Sequence, residues 1–210
     1  MALGLLTGGL VFLSVRKKQV GWDLPEKGNL TPRQELLNDL YRTTTRFDDE
    51  DVWDSFLQVP LLDYVKSDHP RLLFVGYGET DNWAHSGRYD LMLESAHQFD
   101  QFVRQLWETM QTMPEYRDQT TFIITTDHGR GSGLEDWKEH GVEQKGSENI
   151  WIAVVGPDTD ALGERANATA VTQAEIAATV AEFLGKDFHQ GSPDAAPPLP
   201  GVISHHVSIR

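Results

Sequence analysis

Two short stretches, Asp81-Asn82-Trp83-Ala84-His85 and Thr125-Thr126-Asp127-His128-Gly129, each follow an apolar run and carry side chains suited to binding metal ions. An Asp and a His spaced i, i+4 in a loop can grip one ion. An adjacent Asp-His pair leaving a strand can offer an oxygen and an imidazole nitrogen to a second, as in a two-metal hydrolytic site. Both are borderline-hard ligands that suit zinc or manganese. The chain has no cysteine, so any metal must be held by His, Asp or Glu. Taken singly, each stretch also has an ordinary structural reading. Asp127 can cap an Asx turn at a strand end with His128 exposed, and acid-His pairs at i, i+4 arise by chance. Their order, each beyond a strand, favours ligation.

The elements that position these residues are legible from local signals. Thr31-Pro32-Arg33-Gln34 opens a helix, with Thr as N-cap, Pro at the first helical position and Gln three residues beyond the cap. That helix is expected from Pro32 to Arg42. A second is expected to begin near the acidic run Asp48-Asp49-Glu50-Asp51 and to continue through Trp53, Phe56, Leu57, Val59 and Leu61 towards Tyr64, with Pro60 bending or breaking it. Arg71 to Gly76 is too short for a helix and suits a strand buried on both faces. From Tyr89, the positions Met92, Ala96, Phe99, Val103, Leu106 and Met110 form one apolar helix stripe. Thr120 to Thr126 and Ile150 to Val155 are the next strands. A capping box at Thr172-Gln173-Ala174-Glu175 opens a last helix ending at Gly185, and Pro193, Pro197, Pro198 and Pro200 mark an irregular tail.

Strand, long helix, strand is a βαβ unit, so the fold class is α/β, with a mostly parallel sheet flanked by helices. Residues 1–30 form an irregular or partial amino-terminal segment, 31–186 the α/β metal-binding domain, and 187–210 a Pro-rich tail. In open α/β sheets ligands collect beyond the carboxyl ends of the strands, where both motifs fall. If the first two of these strands are neighbours, about 4.8 Å apart, the two Asp/His pairs lie within reach of each other.

With His140-Gly141 a short loop further on, Asp-x-x-x-His after one strand and Asp-His-Gly after the next resemble the carboxy-terminal half of the alkaline phosphatase superfamily. The likeness is to its phosphodiesterase, nucleotide pyrophosphatase and sulfatase-like branches, and Gly78 to Asp90 is similar to a bacterial subgroup. Ile150 to Pro157 and the helix around Gln173 to Leu184 resemble that family's closing strand and helix, so the resemblance covers Arg71 to Lys186. It implies an alkaline-phosphatase-like fold and two divalent ions, with zinc the expected metal and manganese the alternative. Asp81, His85 and His140 would hold one ion, and Asp127 and His128 the other. The implied activity is hydrolysis of phosphate or sulfate esters.

In that family an earlier strand supplies a further metal-binding Asp and is soon followed by a Ser or Thr nucleophile. No such strand and loop is legible before Arg71. The expectation is therefore a chain incomplete at its amino end, whose activity alone stays open, with a partner segment as a candidate source of the missing half. The rival readings are a non-catalytic metal-binding fragment or pseudoenzyme, and a phosphomutase-type relative that needs a phosphate-transferring Ser and a substrate lid. Family members are often periplasmic or exported.

Composition narrows the partners. With 32 acidic against 18 basic residues and a formal charge of −14, the acids outnumber the bases, which argues against a nucleic-acid partner, since phosphate binding draws on clustered Lys and Arg. A small anionic ester remains the expected substrate. Arg130 and Lys145 flank the motifs and can offset its charge, although surface solubilising charge explains them equally well. Met1 to Val15, followed by Arg16-Lys17-Lys18, has no basic residue ahead of its apolar run. It is also shorter than the roughly 20 residues a bilayer span requires. It reads as a core segment, and the compartment stays open. Trp83, Tyr77 and Trp137 are candidates to wall a pocket. His97 reads as a helix-flank residue, and His69, His189, His205 and His206 as solvated.

Overall fold

Thr31 starts the first helix through the box its neighbours encode. Its side chain accepts the Gln34 N–H at 3.3 Å, and the Gln34 side chain accepts the Thr31 N–H at 2.9 Å. α1 accordingly spans Pro32–Thr43. The computed structural model describes residues 2–7, 29–45, 53–165 and 168–204. The acidic run Asp48–Asp51, His205 and His206 lie outside them.

α2 spans Asp54–Asp68 and passes through Pro60 without ending, which corrects the expected break. Proline removes one hydrogen bond to the carbonyl four residues back. Against that loss, Leu57, Leu61 and Val65 bury one face of the helix, the latter two completely. Packing therefore outweighs the local penalty. His69 ends the helix in the left-handed region at φ 48° and pairs with Glu115.

The sheet is built from β1 (Ala2–Thr7), β2 (Leu72–Tyr77), β3 (Thr121–Thr125) and β4 (Ile152–Val155), in the order β2-β1-β3-β4. β1 runs parallel to both of its neighbours, and β4 is antiparallel to β3. The sheet is thus mostly parallel, as the βαβ reading requires. β2 and β3 are not adjacent, however. β1 lies between them, with Leu5 opposite both Val75 and Ile124, so the strands bearing the two motifs stand about two spacings, roughly 10 Å, apart. The site must then be closed by the segments beyond the strand ends.

Helix α4 (Tyr89–Gln111) makes the crossover from β2 to β3. Ser95, Phe102, Leu106 and Met110 are its buried positions, while Ala96 of the expected stripe is exposed. One core joins Leu57, Leu61 and Val65 of α2, Leu73, Val75 and Tyr77 of β2, Phe102, Leu106 and Met110 of α4, and Tyr116 and Phe122. Tyr77 lies in it with its ring against Phe99 and Phe102 and its hydroxyl donating to Gln58 Oε1 at 2.5 Å. Tyr77 is therefore a core residue and does not wall a pocket. Among the described residues no helix is long and apolar enough to cross a membrane.

Leu106 is fully buried in this cluster. Leu106→Ala is expected to destabilise the fold by about 2–5 kcal/mol. Urea unfolding should show a lower midpoint with an unchanged slope, as for a cavity in an otherwise intact core.

Candidate metal centre

The first motif lies on a helix, correcting the loop expected for it. α3 spans Glu79–His85 and starts where the Gly78 carbonyl accepts the Asp81 and Asn82 N–H groups at 3.1 and 3.2 Å. One helical turn then stacks His85 over Asp81, with His85 Nε2 3.3 Å from Asp81 Oδ2. The start of α3 is tied to the start of α2 by two buried carboxylates. Asp54 Oδ1 accepts the Gly78 N–H at 2.9 Å, and Glu79 Oε1 accepts the Asp54 N–H at 2.6 Å. Burial raises the Glu79 carboxyl above its ordinary range, against hydrogen bonds from the Asp54 backbone and Trp83. Sequence reading did not single out this pair, because a link across 25 residues has no local signature.

The second motif leaves β3. Asp127 Oδ1 accepts the His128 N–H at 3.0 Å, so the Asx-type contact forms alongside the other geometry. His128 Nδ1 lies 2.9 Å from the Gly129 carbonyl. A carbonyl can only accept, so Nδ1 carries a proton, which leaves Nε2 as the ring nitrogen able to ligate a metal. That Nε2 lies 3.6 Å from Asp81 Oδ1 and 3.7 Å from Asp127 Oδ2. Helix α5 (Ala174–Phe183) steadies the turn from behind. Gln173, just ahead of it, donates Nε2 to the Thr126 and Asp127 carbonyls at 2.6 and 2.8 Å. No local signal marks Gln173 for this role beyond its place in the capping box and at the start of the closing helix. Half of that box forms, since Glu175 Oε2 accepts the Thr172 N–H at 2.8 Å.

His140 arrives on the segment after a 3-10 turn at Asp136–Lys138. Its Nε2 lies 3.5 Å from Asp81 Oδ1, and its ring stacks on His128 with centroids 3.7 Å apart. Burial lowers its pKa, and neighbouring His128 and His85 lower it further. His140 is therefore held as a neutral imidazole, the form that ligates metal. Its loop is locked to the turn after β3 backbone to backbone. Gly129 donates its N–H to the Ser147 carbonyl at 2.7 Å, and a Cβ on Gly129 would come within 2.4 Å of the Asn149 and Gly146 oxygens. The invading loop thus requires glycine at this position.

Asp81, His128 and His140 form a group whose donor atoms all lie within 4.8 Å of one another. A tetrahedral ion with bonds of about 2.0–2.1 Å holds its ligand atoms about 3.4 Å apart. The 3.5 and 3.6 Å separations from Asp81 Oδ1 match that spacing closely. Asp81 Oδ1 itself is buried, and the Arg130 guanidinium is its ion-pair partner. These residues fit a divalent metal. The convergent group draws on both sets implied by the resemblance, since His128 joins Asp81 and His140. His85 adjoins it through Asp81 Oδ2, and Asp127 through His128.

The flanking cations part company. Arg130 is largely covered and turned onto Asp81, with burial lowering its pKa and Glu139 opposing the shift. Lys145 is exposed on the following loop, where its charge acts on Glu148. Trp83 packs against Trp53, and Trp137 against Tyr89. His97 is exposed on α4, and His189 faces the Ala195 carbonyl at 3.1 Å, so neither joins the group.

A family model described as the Metalloenzyme superfamily matches residues 52–187, a span containing all five candidate ligands. No curated protein matches the chain.

Proposed function

Because the chain belongs to the Metalloenzyme superfamily, we propose that it is a divalent-metal-dependent hydrolase of small phosphate or sulfate esters, of the phosphodiesterase and sulfatase-like kind. Membership implies metal-dependent phosphoryl transfer or related hydrolase or mutase chemistry, on an alkaline-phosphatase-like α/β fold. The observation that supports the site is the convergence of His128 Nε2 and His140 Nε2 on Asp81 Oδ1.

In this reading Asp81, His85, Asp127, His128 and His140 hold two divalent ions, with zinc the expected metal and manganese the alternative. A bound divalent ion supplies Lewis acidity and neutralises charge on the transferring group. The chain's own part is positional. His128 keeps its proton on the Gly129 carbonyl, Gln173 fixes the strand-end carbonyls, and the α2 link sets the start of α3. Lys145 is the exposed cation available to an incoming anion. No nucleophile is assigned, and turnover through a covalent intermediate would require one.

Metal analysis of the purified chain after dialysis at neutral pH tests the ligands. Turnover of an aryl phosphate, a phosphodiester and an aryl sulfate tests the chemistry. Retained zinc or manganese with ester hydrolysis is the expected result. Retained metal without turnover favours a non-catalytic metal-binding chain. A chain that retains neither ion overturns the ligand assignment.

A further inference from the structure

We propose that Arg130 is the positioning residue of the metal-binding group, a strut that orients the Asp81 carboxylate, and not the contact for the substrate anion. The inference rests on the metal-dependent reading above. The Arg130 side chain is only 19% exposed. Nη1 donates to the Lys138 carbonyl at 2.9 Å and Nη2 to the Asp81 carbonyl at 3.3 Å, and Nη2 also touches Asp81 Oδ1. Lys138 closes the turn that delivers His140, and Asp81 belongs to α3. One planar guanidinium therefore spans the two segments that bring the carboxylate and the imidazole together.

The base of this strut is equally constrained. A Cβ on Gly146 would lie 2.5 Å from the Arg130 carbonyl oxygen, so the two loops meet at that point with no side chain between them. A fixed backbone and a two-carbonyl grip leave the guanidinium little freedom. Asp81 Oδ1, at which His128 and His140 aim, is buried and has the Arg130 guanidinium as its ion-pair partner. Contact with Arg130 is what holds that oxygen on the imidazole side.

Electrostatics alone opposes this role, which makes the proposal decidable. A cation beside a metal-binding carboxylate repels a divalent ion, so its removal should tighten metal binding. A strut behaves the other way, because its removal frees the carboxylate to turn aside. The sign of the change in affinity separates the two.

The test is zinc affinity of the wild-type chain, Arg130→Gln and Arg130→Lys, measured at neutral pH by competition with a chromogenic chelator, with circular dichroism verifying the fold. Both variants are expected to bind zinc about tenfold or more weakly, as when support around a metal ligand is lost. Arg130→Lys should do so even though it keeps the charge, since an ammonium cannot reproduce the fork. Tighter binding by Arg130→Gln, or wild-type affinity in Arg130→Lys, overturns the strut. If Arg130→Gln does not fold, Arg130→Lys decides alone. A wild-type chain that binds no zinc overturns the metal-dependent reading, and this inference with it.

Discussion

Asp81→Ala is expected to abolish divalent-metal binding while leaving the chain folded. Asp81 is the shared anion of the site. Its Oδ1 faces His128 and His140, and its Oδ2 faces His85 at 3.3 Å. Removing it deletes the one carboxylate of the convergent group and leaves the imidazoles and the guanidinium with only the outlying Asp127 and Glu139 to offset them. Loss of supporting residues around a metal ligand typically costs about 10- to 100-fold in affinity, and loss of this ligand should cost more than about 100-fold. At a metal concentration near 100 times the wild-type Kd, binding stabilises the fold by about 2.7 kcal/mol. Thermal melts with and without zinc should therefore show a clear upward shift for the wild type and almost none for Asp81→Ala. Equal shifts in the two proteins would remove Asp81 from the site.

Gly129→Ala is expected to cost both stability and metal binding. The added methyl would fall 2.4 Å from two backbone oxygens, those of Asn149 and Gly146. Neither can rotate away as a side chain would, so one loop must retreat. Overpacking of this kind costs about 1–3 kcal/mol, and more where only backbone can yield. The same retreat would lengthen the Gly129 N–H bond to Ser147 and move the carbonyl that holds the His128 proton. Gly191→Ala provides the comparison, since its Cβ would meet nothing nearer than the Phe188 carbonyl oxygen at 4.0 Å. Denaturant midpoints should fall markedly for Gly129→Ala and hardly move for Gly191→Ala. Similar midpoints would falsify the backbone-to-backbone account.

The elements and the ligand types were legible because their signals are local. The Thr31 to Gln34 box and the β-branched run at Thr121–Thr125 each lie within a few residues and formed as read, and the apolar repeat of α4 recurs every turn and gave the helix, with Ala96 exposed. Asp81, His85, Asp127, His128 and His140 were legible as candidate ligands from residue type, spacing and their place beyond strands, and the structure groups Asp81, His128 and His140. What proved illegible depended on distance along the chain. Pro60 stays helical because Leu61 and Val65 pack on distant elements, a gain its own neighbourhood does not encode. The insertion of β1 between β2 and β3 is a pairing choice among strands far apart in the chain, which no local pattern specifies.

The amino-acid sequence by itself determined which side chains can hold a metal, and that they stand beyond the ends of buried strands. Periodicity and ligand chemistry act over one or two turns of chain. Only the tertiary structure decided how they meet. It set the first pair on a helix, spaced the two strands by an intervening third, and brought His128 and His140 onto the same oxygen of Asp81. The reason is geometric, since a ligand group is defined by distances of a few ångströms between residues up to 59 positions apart, from Asp81 to His140. Those distances are set by loop-on-loop packing at Gly129 and Gly146 and by the reach of Arg130.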